Sequence, residues 1–162
     1  DVNDQRKMGL AVLSNLLGGP GMNARLSMTL RERNGYSYNV ESNYTAYSDT
    51  GVFSIYIGCD ERHRAKCIDL TYLELKKLMD KPLGTAQLQK AKQQVMGQLA
   101  LSAESGLSKV LGNGKTLMAL GEVRTYAQIA DELNGLTSSE LQDIAKEVFQ
   151  KDNLSSLTFH GK

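Results

Sequence analysis

The chain has 162 residues, within the roughly 100–200 residues usual for one domain, with 41% hydrophobic and 23% charged residues, no tryptophan and two prolines. That composition excludes a disordered tract or a disulfide scaffold. Nineteen Lys and Arg against eighteen Asp and Glu give a net charge of +1 with the signs interspersed, so the basic patch of a nucleic-acid binder is missing. The longest uncharged stretch, Met8 to Ala24, contains Ser14, Asn15, four glycines and Pro20. A bilayer span needs roughly 20 predominantly apolar residues, so no membrane helix is expected and the chain reads as soluble.

Leu10, Leu13, Leu16 and Leu17 recur at helical spacing behind Asp4, which is placed to cap the helix. Gly18-Gly19-Pro20-Gly21 ends it, with a glycine expected in the left-handed conformation. Met22, Leu26 and Leu30 predict a second helix, which carries Arg25, Arg31, Glu32 and Arg33 and stops at Asn34-Gly35. From Tyr38 the period changes to two. Tyr38, Val40, Ser42, Tyr44 and Ala46 fall on one face, and Val52 to Cys59 reads as the returning strand with Phe53, Ile55 and Ile57 inward.

Asp60 is the expected cap of a helix running to about Met79, with Ile68, Thr71, Tyr72, Leu75 and Leu78 on its buried side. Thr85 is then the expected cap of a long helix striped by Leu88, Ala91, Val95 and Leu99. The stripe weakens and glycines gather between Ser102 and Gly114, which predicts a break. A short helix follows Thr125, and Thr137-Ser138-Ser139-Glu140 is a capping box for another. Leu154 to Phe159 reads as a closing strand.

This order predicts a single α+β domain over 1–162, with helices packed on a thin, mainly antiparallel sheet. The start at Asp1, without methionine or signal-peptide pattern, suggests a trimmed fragment that lacks its first strand. An unpaired sheet edge of that kind invites self-association.

Two cysteines, Cys59 and Cys67, are too few for a secreted framework and do not reveal the compartment. Only two histidines, His63 and His160, are present, so a three-histidine metal site is impossible. Cys59-x-x-x-His63-x-x-x-Cys67 is the one metal-like spacing. Cys59 falls on the strand side of Asp60, so its side chain should point elsewhere, and no fourth ligand is near. No metal site is expected. The glycine run lacks the Gly-Lys-Ser/Thr ending of a phosphate loop and follows a helix, so helix termination explains it.

Three blocks occur in order: Leu17-Gly18-Gly19-Pro20-Gly21-Met22-Asn23-Ala24-Arg25-Leu26, Leu30-Arg31-Glu32-Arg33-Asn34-Gly35-Tyr36-Ser37-Tyr38, and Tyr47-Ser48-Asp49-Thr50-Gly51-Val52-Phe53. The set resembles the pitrilysin and mitochondrial-processing-peptidase family of zinc proteases, in their carboxy-terminal, non-zinc-binding half. The resemblance implies one α+β half of a clam-shaped peptidase, whose zinc is held by a His-x-x-Glu-His motif in the other half. No such motif stands here, so the chain alone is expected to be inactive, with zinc bound only in the parent protein. The implied partners are the amino-terminal half, in the same chain or as a separate subunit, and a peptide substrate.

The resemblance also implies an arginine and a tyrosine that reach into the closed site, and these map onto Arg31 and Tyr38. Both would project from one edge, and a guanidinium and a phenol suit the negative charge that develops on a peptide carbonyl during hydrolysis. The plainer reading is a solvated helix arginine and a packed strand tyrosine. Arg25 is expected to tie its helix to the glycine turn. In non-catalytic mitochondrial subunits a glycine loop near this position helps to recognise substrate, so Gly18, Gly19 and Gly21 form a possible substrate loop. A non-catalytic peptide-binding or assembly subunit is the alternative function.

Overall fold

In a computed structural model that describes residues 1–160, the leucine stripe forms α1, Lys7–Gly18, with Leu10, Val12, Leu13 and Leu17 buried. Asp4 does not cap it directly. Its carboxylate accepts the Arg6 backbone N–H at 2.7 Å, in a turn just ahead of the helix. Nor does the glycine run turn left-handed. Gly19 has φ −66° and ψ 173°, the extended geometry favoured before a proline, while its N–H closes on Asn15 O at 3.0 Å.

The second helix is short and wide. After one turn at Arg25 and Leu26, Ser27–Glu32 forms a π-helical stretch. Leu26 and Leu30 are buried as the spacing predicts, but Met22 precedes the helix and is exposed. Gly35, at φ +61°, supplies the left-handed turn into the hairpin.

Strands β1, Ser37–Ala46, and β2, Gly51–Cys59, pair antiparallel, from Ala46 opposite Gly51 to Ser37 opposite Cys59. Tyr47 N–H donates to Thr50 O at 2.8 Å across the turn. Val40 and Ser42 face inward on β1, with Phe53, Ile55 and Ile57 half-buried on β2. The register slips between Ser37 and Asn39, leaving Tyr38 as the extra residue of a bulge. Tyr38 therefore leaves the Val40 face on which alternation would place it and is 69% exposed.

Asp60 precedes a short 3-10 turn, Glu61–His63, without a side-chain cap, and α2 spans Arg64–Asp80. α3, Thr85–Glu104, begins one residue before the expectation. Gly84 takes the N-cap and its N–H donates to Gln87 Oε1 at 3.2 Å. The expected break falls at Ser105, whose side chain accepts the Ser108 N–H at 3.3 Å and starts α4, Gly106–Leu120. Thr125 with Gln128, and Thr137 with Glu140, form capping boxes that open α5, Tyr126–Gly135, and α6, Ser138–Val148.

The core runs along α1 and reaches the hairpin, α2, α3, α5 and α6. Phe149, just after α6, meets Phe53 of β2 edge-on at 5.0 Å between ring centroids. Lys92 is buried but satisfied, since its ammonium donates to Asn134 O at 2.7 Å, near the end of α5. α4 stands apart with no buried residue. Leu107, Val110, Leu111, Leu117 and Met118 form an exposed apolar stripe at helical spacing.

The closing strand does not form. Residues Leu154 to Phe159 form no regular element, and β1 and β2 are the only paired strands among the described residues. An apolar pattern such as Leu154, Leu157 and Phe159 gives a strand only where a neighbour accepts its backbone hydrogen bonds. Leu157 and Phe159 are left exposed.

Candidate functional site

Arg31 lies near the end of the π-helical stretch, where Gly35 N–H closes on Arg31 O at 2.9 Å. Its Nε donates to Glu32 Oε1 at 2.8 Å, leaving the two terminal nitrogens without a partner among the described residues. The side chain is 38% exposed, so this pair is a surface ion pair with little effect on stability. Its use is orientation: Glu32 holds one edge of the guanidinium and leaves the other open.

Tyr38 follows across the left-handed turn at Gly35, at the bulge that begins β1. Its ring lies over Gly58 of β2 and its hydroxyl has no protein partner among the described residues. Arg31 and Tyr38 thus stand on neighbouring elements with free donors, and no hydrogen bond joins them. Only the bulge exposes Tyr38, and a bulge breaks the period of two by which the sequence was read. The signal that could have revealed it is the glycine on the facing strand, where a ring can lie.

The glycine run divides its duties. Gly18 is buried against β1, with a Cβ there predicted to fall 2.6 Å from Ser42 N. Gly19 packs on the backbone of Asn15, whose Nδ2 donates to Gln98 Oε1 at 2.7 Å. Gly21 borders a shallow groove with Pro20, Asn23, Lys90, Gln93 and Gln94. Of the three glycines, this one faces the groove.

Arg25 is half-buried, on the helical turn just ahead of the π-helical stretch. Burial pushes its guanidinium below its ordinary value and the charge of Glu74 on α2 opposes that shift, so the attraction runs toward α2. Glu74 is itself buried, accepting from Thr29 Oγ1 at 3.1 Å and Lys77 Nζ at 2.7 Å.

Cys59 does not point away from Cys67 as the strand assignment implied. Its thiol is near enough to Cys67 to bear on that thiol's ionisation, and no hydrogen bond joins the two among the described residues. Cys67 is 1% exposed and donates to Tyr36 O at 3.9 Å. Burial, and then the neighbouring Cys59 thiol, push Cys67 up to about 11. His63 stacks on Tyr36 at 4.7 Å between ring centroids. No group of three His, Cys, Asp or Glu that could hold a metal ion occurs among the described residues.

Residues 1–95 match the family described as peptidase M16 inactive domain. The chain is 33% identical to a protein of Bacillus subtilis named uncharacterized zinc protease YmxG, over 94% of this chain and 37% of that protein. It is 32% identical to mitochondrial-processing peptidase subunit alpha of Rattus norvegicus, over 82% of this chain and 26% of that one. A crystal structure of a peptidase M16 inactive domain from Pseudomonas fluorescens superposes with a TM-score of 0.76 at 20% identity, covering 91% of this chain and 35% of that one. The chain therefore spans only about a quarter to two fifths of the length of these proteins. With its ordered glycine, Arg-Glu and hairpin blocks carried on the same fold, the chain belongs to the peptidase M16 family, in its inactive domain.

Proposed function

We propose that this chain is the non-zinc-binding half of a zinc metalloendopeptidase, that it forms one wall of the substrate cleft, and that Arg31 and Tyr38 donate hydrogen bonds to the peptide. The observation that carries this reading is the pair of free donors on adjoining elements: the open edge of the Arg31 guanidinium and the bulge-exposed Tyr38 phenol. Both are cationic or neutral donors, and neither is a base or a nucleophile. They suit a carbonyl oxygen that gains negative charge, where a pre-placed donor is worth about 10²–10³ in rate. The metal and the water it activates belong, in this reading, to the partner half. The exposed apolar stripe of α4 supports the presence of such a partner, since contiguous apolar surface of this kind marks protein contacts.

Peptide hydrolysis by the chain together with a zinc-binding half, compared with Arg31→Ala and Tyr38→Phe, tests the reading. A fall in kcat for each variant is expected; unchanged kcat in both would remove the donor role. The likeness to a protein named as a subunit supports a second reading, a non-catalytic module that binds peptide or serves assembly. There, both variants would weaken peptide binding without any hydrolysis to lose.

A further inference from the structure

Gly58 occupies an ordinary strand position. The positive φ values of the described glycines are those of Gly35 and Gly121, so Gly58 is not needed for its backbone conformation. Glycine inside a strand normally weakens it, which directs attention to the space above the residue. A Cβ at Gly58 would lie 2.8 Å from Cε2 and 3.2 Å from Cδ2 of Tyr38. No real Cβ approaches a ring so closely, so the ring and a side chain at 58 cannot share the site. Gly58 is buried while Tyr56, on the same face of β2, is exposed; its cover comes from Tyr38 and from Asn39, whose Cβ would be 3.6 Å away.

The bulge and the glycine work together. The extra residue at position 38 turns the tyrosine outward, and the missing side chain opposite lets one edge of its ring rest against Gly58 of β2. A tyrosine ring has few torsions, so fixing the ring plane fixes the direction of the hydroxyl. We infer that Gly58 is a positioning residue for Tyr38, a seat that holds the phenol oriented toward the substrate cleft. This rests on the proposed role of Tyr38, and the experiment separates the two.

The test uses Gly58→Ala, Tyr38→Phe, Tyr38→Ala and the double variants Gly58→Ala with each. Two readouts are taken: NMR contacts between the Tyr38 ring and the residue-58 α protons, and hydrolysis of an internally quenched peptide in the presence of the zinc-binding half. The wild type should show the ring contact and Gly58→Ala should lose it. Gly58→Ala should lower kcat about as much as Tyr38→Phe does, with KM nearly unchanged, as expected for a donor used in the transition state. The Gly58→Ala/Tyr38→Phe variant should be no slower than Tyr38→Phe alone, since both changes act through one hydroxyl. If Gly58→Ala impairs folding, Gly58→Ala/Tyr38→Ala should restore it, because the ring that clashes is gone.

Absence of the ring contact in the wild type, or its persistence in Gly58→Ala, overturns the seat. Additive losses in the Gly58→Ala/Tyr38→Phe variant overturn it as well. Loss of the contact with full hydrolysis in both Gly58→Ala and Tyr38→Phe upholds the seat and removes the donor role of Tyr38.

Discussion

Gly18 of α1 lies directly on Ser42 of β1, so close that a Cβ would stand 2.6 Å from the Ser42 nitrogen and 2.8 Å from its Cβ. One turn earlier, Ser14 Oγ donates to Ser42 O at 2.8 Å. These two contacts fix the first helix to the hairpin that carries Tyr38. Gly18→Ala must therefore move backbone rather than a flexible side-chain end, and should cost about 1–3 kcal/mol. Gly112→Ala in α4 meets nothing within 4 Å and should be neutral or stabilise by about 0.5–1 kcal/mol. Chemical denaturation of both variants checks the contrast, and equal effects would contradict it.

Phe149 is 2% exposed and packs edge-on against Phe53. Phe149→Ala should destabilise the fold by about 3–5 kcal/mol, through lost burial and the cavity left between α6 and the hairpin. Leu107→Lys or Met118→Glu, on the exposed stripe of α4, should change stability in this chain by less than about 0.5 kcal/mol. A large loss from either α4 variant in thermal denaturation would show that the stripe is already covered.

Two groups give stability a direction with pH. The Arg6 side chain and backbone N–H hold the Asp4 carboxyl down at about 2, below its ordinary 3.8. A lowered folded value means the contribution is complete above the ordinary value and is lost as pH falls from about 4 toward 2. Cys67 has the opposite sign. Its thiol is pushed up to about 11 from 9.0, so its contribution is complete below 9.0 and is lost as pH rises toward 11. Asp4→Asn should remove part of the acid loss and Cys67→Ser part of the alkaline one, in denaturation midpoints measured across pH. Thiol alkylation near neutral pH should reach half-buried Cys59 well before Cys67.

Local chemistry was more legible than long-range packing. The hairpin, the Thr137–Glu140 capping box and the break near Ser105 each depend on residues a few positions apart, and all stand where their side chains direct. The family blocks were legible for the same reason, being short ordered strings. Some local expectations failed too, since Asp4, Asp60 and Thr85 do not cap their helices and the run from Gly18 to Gly21 does not turn left-handed; the other misses required a distant partner. Leu154 to Phe159 has strand composition without a neighbouring strand among the described residues, and Glu74 and Lys92 look like surface charges until Thr29, Lys77 and Asn134 close around them. Arg31 and Tyr38 were found by resemblance, while the geometry that frees Tyr38 depends on a bulge and on Gly58 twenty residues away.

The measurement that bears most directly on the proposed function is hydrolysis of an internally quenched peptide by this chain combined with a zinc-binding half. The account predicts activity only in the combination, with kcat reduced about 10²–10³-fold by Arg31→Ala and reduced also by Tyr38→Phe, while KM stays within a few-fold. Full activity in both variants, or chelator-sensitive hydrolysis by this chain alone, would contradict it.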